Sequence, residues 1–129
     1  LTESVLANAK EDWVIVAGHP PIYAETPKDD SERLDMQKRL DPILRKHKVD
    51  MYICGHIHNF QHIRKAGSNI DYVVNSAGSL ARKVKPTEGT VFCSPEPGFS
   101  IISADKKTLT LRMIDKKGNI LHTVTRNSQ

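Results

Sequence analysis

The chain has 129 residues, 38% hydrophobic and 26% charged, which sets it among ordinary soluble globular chains of about one domain and excludes a disordered one. No apolar run approaches the roughly 18 residues of a membrane-spanning helix. The net charge of +4 comes from scattered lysines and arginines and the aromatic content is only 5%, a poor platform for stacking bases and a better one for attracting small anionic substrates.

The first ten residues, LTESVLANAK, have neither the basic nor the apolar region of a secretory leader, and no initiator Met. The chain is therefore expected to be a segment of something longer. Val5, Leu6 and Ala9 recur at helical spacing, so residues 2–10 are expected to close a helix. WVIVA at 13–17 is a short apolar run rich in β-branched side chains, the pattern of a strand buried on both faces. Pro20 and Pro21 stop it, because proline cannot donate to a ladder. A polar loop follows over 22–30. Ser31 opens a helix with Leu34 and Leu40 on one side, and Asp41 is placed to cap a second helix over 42–47, with Pro42 at the favoured first position. A second buried strand, 51–54, ends in Gly-His-Ile-His, and a third covers 71–76. Residues 78–97 have no clear period. Strands at 99–104, 108–114 and 120–126, separated by DKK and DKKGN, read as an antiparallel meander. Leu109, Leu111 and Met113 alternate, so the middle strand buries one face. The expected class is α/β: a mixed sheet with helices on one face, then the meander.

Gly18-His19-Pro20 and Gly55-His56-Ile57-His58 share one build, an apolar strand followed by glycine and histidine. Sites of open α/β sheets lie beyond the carboxyl ends of strands, and glycine there permits a sharp turn. If the two strands are parallel neighbours, their histidines converge. In an extended chain His56 and His58 would face the same side with Cα atoms about 6–7 Å apart, which suits two metal ions that take one imidazole each. His62 is a candidate for proton transfer, with a plain surface position as the alternative. His47 sits between lysines near a helix end, and His122 belongs to the meander as a structural residue. Asn59 and Asn75 either orient ligands or close turns. Cys54 and Cys93 form no CxxC, and Cys54 reads as a buried free thiol.

VAGHPPIY together with CGHIHNFQHI closely resembles the purple acid phosphatase group of the calcineurin-like metallophosphoesterases. AKEDWVIVAGH, LDPILRKHKVD, YVVNSAGS and the meander follow the order of the small, tartrate-resistant type, so the resemblance covers nearly the whole chain. It implies half of a four-layer αββα sandwich, with a dinuclear metal centre between the sheets. It implies His19 and His56 as ligands of the second, divalent metal and His58 as a ligand of the first. The metals would be iron with iron, zinc or manganese. The implied activity is hydrolysis of phosphate monoesters by in-line attack of a metal-held hydroxide.

The family's GDxG, GDxxY and GNH[DE] segments have no counterpart. The chain contains no Gly-Asp, and Gly118-Asn119 belongs to a hairpin turn. Residues 1–129 are therefore expected to be the C-terminal segment of the phosphoesterase domain, inactive alone and self-associating as a homodimer or strand-exchanged oligomer. Glu25, Lys28 and His62 are candidates to replace a loop histidine that follows the GH proline in the mammalian-type enzyme. Proteins of this type are exported, which implies a periplasmic or secreted location; no nucleic-acid or membrane partner is expected. Two other readings remain open: a phosphodiesterase or nucleotidase on the same centre, and a non-catalytic domain that binds a protein partner.

Overall fold

The computed structural model describes residues 2–26, 31–76 and 82–128. Strands β1 (Ile15–Ala17), β2 (Met51–Cys54), β3 (Phe60–Ile63), β4 (Asp71–Val74) and β5 (Thr90–Ser94) form one mixed sheet in the order β1-β2-β4-β3-β5. β1, β2 and β4 run parallel, and β3 runs antiparallel to both β4 and β5. A second, antiparallel sheet of β6 (Gly98–Ala104), β7 (Thr108–Asp115) and β8 (Ile120–Asn127) is the expected meander. Three helices precede β2: α1 (Thr2–Ala7), α2 (Ser31–Arg39) and α3 (Asp41–Lys46).

Side-chain alternation divides the core in two. Tyr52, Cys54, Tyr72 and Val74 face the helix side, where Leu44, Val49 and Leu6 meet them. Met51, Phe60 and Val73 face the second sheet and pack on Leu109, Leu111, Met113 and Val124. The layers are helix, sheet, sheet. Cys54 is a buried free thiol, and burial pushes its pKa up to about 12.

Several local expectations need correction. The strand at 13–17 is not buried on both faces; β1 has only three residues and is exposed at Ile15 and Ala17, because it lies at the sheet edge with one neighbour. Asp41 does not cap α3. The N-cap is Leu40, in a right-handed helical conformation, so α2 runs into α3 with Pro42 in the first turn. The Asp41 carboxylate is buried and accepts instead from Tyr23 Oη at 2.9 Å, Arg45 Nε at 2.8 Å and Tyr72 Oη. α2 buries no residue, and Leu34 is 57% exposed. β3 and β5 were not expected at all. β3 is buried along its whole length, so it lacks the polar alternation that marks a half-exposed strand.

Candidate metal centre

Gly18 follows β1 and Gly55 follows β2, and these strands are adjacent and parallel. His19 and His56 therefore come together beyond the carboxyl ends of both: His19 Nε2 lies 2.9 Å from His56 Nδ1, with the rings edge to face. Backbone bonds fix the approach, Gly18 N to Ile53 O at 2.9 Å and Gly55 N to His19 O at 3.2 Å.

The glycines do a different job from the expected one. Neither has a left-handed backbone; that conformation falls on the histidines, His56 at φ 75° and His58 at φ 67°. The GHIH segment is thus not extended, and His56 and His58 are not displayed side by side as on a strand. Ile57 turns inward between them and is only 4% exposed. Non-glycine residues in this region cost about 1 kcal/mol or more each, and such strain collects at functional sites. Gly18 is required for space: a Cβ there would collide with the Tyr52 hydroxyl, which donates to Pro20 O at 2.8 Å.

The histidine loops are tied to the chain around them. Gln61, fully buried, grips the backbone of Glu25 from both sides, accepting from its N–H and donating to its C=O, each at 2.8 Å. The Gln61 amide also donates to Asn59 Oδ1 at 2.8 Å, and Arg82 N donates to His58 O at 2.7 Å. Glu25 borders a cavity of about 480 Å³ that Thr26, Lys83 and Lys85 also line. Its Oε2 is buried without a hydrogen-bond partner among the described residues. Sequence reasoning overlooked Gln61. Its place two residues after Asn59, where the chain leaves the histidine turn for β3, was the available signal.

His62 lies apart from this cluster. Its Nε2 contacts Asp71 Oδ1 at 2.7 Å and its Nδ1 contacts His122 Nε2 at 2.9 Å. Asp71 opens β4 and pairs with Met51, which opens β2, so the His62 ring works toward the amino ends of these strands, away from His19 and His56. Lys28 lies outside the described residues.

The pair His19–His56 fits a shared metal. Two imidazole nitrogens each about 2.0–2.1 Å from one ion lie roughly 3 Å apart when they occupy adjacent positions. The hydrogen bond between them needs one N–H, so the proton must shift to the outer nitrogen of its ring before both can donate lone pairs. Among the described residues no third His, Cys, Asp or Glu joins them to complete a cage.

Comparison with known proteins places this geometry. The family model described as calcineurin-like phosphoesterase matches residues 1–60. Tartrate-resistant acid phosphatase type 5 of Homo sapiens is 31% identical over 126 residues, covering 90% of this chain and 38% of that protein. Purple acid phosphatase 3 of Arabidopsis thaliana is 31% identical over 116 residues, covering 85% of this chain and 31% of that protein. The chain thus spans less than two-fifths of the length of these relatives. Among solved structures, GAP50, described as the anchor in the inner membrane complex of Plasmodium, superposes with a TM-score of 0.86 at 25% identity, over 99% of this chain and 41% of that one. The purple acid phosphatase PPD1 of yellow lupin superposes at 0.73 with 18% identity, over 96% of this chain and 27% of that one, a likeness of fold alone.

Proposed function

We propose, from the premise that this chain is related to the purple acid phosphatase group of the calcineurin-like phosphoesterases, that it supplies the histidine side of a dinuclear-metal site hydrolysing phosphate monoesters. The observation that carries this reading is the 2.9 Å approach of His19 and His56 at the ends of adjacent parallel strands, with His56 and His58 both in left-handed conformations. His19 and His56 would hold one divalent ion, and His58 would serve the other. Such ions supply Lewis-acid charge to the phosphoryl oxygens. Lys83 and Lys85 attract the anionic substrate into the cavity beside the loop, and the Glu25 carboxyl is placed there to exchange a proton with the ester oxygen. The bridging carboxylates must come from outside these 129 residues, which contain no Gly-Asp. We therefore expect no turnover by the chain alone. Joined to the Gly-Asp segments of a curated relative, it should hydrolyse an aryl phosphate and lose that activity on His56→Ala. Turnover by the isolated chain would contradict the missing-carboxylate reading.

A second reading, a non-catalytic domain that binds a protein partner, is favoured by the superposition on GAP50. A folded chimera that binds metal with no turnover of monoesters or diesters would decide for it. Turnover of diesters alone would instead assign a phosphodiesterase.

A further inference from the structure

At the end of the sheet opposite the histidines is a cavity of about 290 Å³. Val49, two residues before β2, and Ile70, immediately before β4, lie in its wall, which places it at the amino ends of the parallel strands. Arg45, Lys48, Arg126, Gly67, Ser68 and Asn69 complete the lining, so it has cationic side chains and no carboxylate. Asp41 and Asp71 are more buried than the guanidiniums they bond. Arg45 Nε bonds Asp41 and its Nη2 bonds Tyr23 Oη. Arg126 Nε bonds Asp50, and its Nη1 bonds Asp71 and Asn69 O. Arg45 Nη1, Arg126 Nη2 and Lys48 Nζ are left without acceptors among the described residues. Gly67, at φ 79°, passes close to Arg45 Nη1: a Cβ there would stand 4.0 Å from it.

We propose that this cavity is an anion site for a phosphoryl group, carried by free phosphate or by a small phosphate ester. Forked guanidinium donors match the oxygens of a tetrahedral oxyanion. Arg45 and Arg126 are held in place by their inner carboxylates, so little ordering remains for the ligand to impose. Lys48 has no carboxylate partner among the described residues and gives the site its unmatched positive charge. The volume lies at the small end of ligand cavities, which limits the organic part to a few atoms.

The test is a ¹H–¹⁵N NMR titration of the chain with inorganic phosphate and, separately, glycerol 3-phosphate. EDTA is present and ionic strength is held constant with sodium chloride. Saturable shifts are expected for the amides of Lys48 and residues 67–70, with affinity reduced about tenfold in Lys48→Gln. The tighter of the two probes identifies the source, ester or free ion. No saturable shift at residues 67–70, or shifts of equal affinity in Lys48→Gln, would overturn the proposal. Ser68→Ala, a small change at a half-buried hydroxyl, repeats the test should Lys48→Gln fold poorly.

Discussion

A histidine is normally placed by its side chain, yet His56 and His58 are distinguished by their backbone. Both adopt a conformation that glycine takes readily and other residues take at a cost. At position 56, Gly should therefore be more stable than Ala by about 1 kcal/mol, although both remove the contact to His19. Chemical denaturation of the two variants checks this. Equal stabilities would mean the left-handed conformation carries no strain. The identity of the converging pair was readable in the sequence, because two strand–glycine–histidine segments in one α/β chain point to the same sheet end. The backbone of the GHIH turn was not readable, because periodicity describes regular elements only. The hydroxyl of Tyr52, which makes Gly18 necessary, comes from a residue 34 positions away and leaves no local trace.

Among the elements, β3 and β8 are joined across the two layers by a buried polar cluster. Asp71, only 1% exposed, accepts from His62, from Arg64 at 3.2 Å and from Arg126 at 2.8 Å, while His122 lies flat on Phe92 with ring centroids 4.5 Å apart. Burial alone would raise the Asp71 pKa, but the bonds from His62 and Arg126 and the charges of His62 and Arg64 hold it below the ordinary carboxylate value of 3.8. Burial and the neighbouring His62 lower the His122 pKa below 6.5, with Asp71 opposing. Both shifts make the fold acid-labile. The unfolded chain takes up the His122 proton first, so stability falls as pH drops below about 6.5. The Asp71 contribution is present above about 3.8 and disappears as pH falls through its lower folded value. Urea unfolding at a series of pH values should show both steps. Asp71→Asn should flatten the lower one, and the full profile surviving in Asp71→Asn would contradict the assignment. Removing Arg126 should cost about 3 kcal/mol or more, because it strips a buried carboxylate of a partner. The meander was legible because β7 alternates and its turns are marked by DKK and DKKGN. β3 was not, because four consecutive buried residues, FQHI, carry no alternation.

For the whole molecule, element order indicated an α/β chain ending in a meander, the resemblance implied the sandwich, and the observed layers are helix, sheet, sheet. What single-chain patterns did not reveal is which strands lie at edges. β1 and β6 both do, with Ile15 36%, Phe99 50%, Ile101 45% and Ile102 44% exposed. A strand with one unpaired edge and exposed apolar side chains is a template for pairing, and we propose that the chain self-associates through β6. Light scattering should show concentration-dependent growth that Ile101→Lys suppresses; a monomer at high concentration would count against it. The histidine centre, at the carboxyl ends of β1 and β2, is the claim on which the functional reading depends. Its direct test is Co(II) titration followed by visible absorption. The account predicts one saturable site, lost in His19→Ala and in His56→Ala and kept in His62→Ala. Undiminished binding in His19→Ala, or loss of binding in His62→Ala, would contradict it.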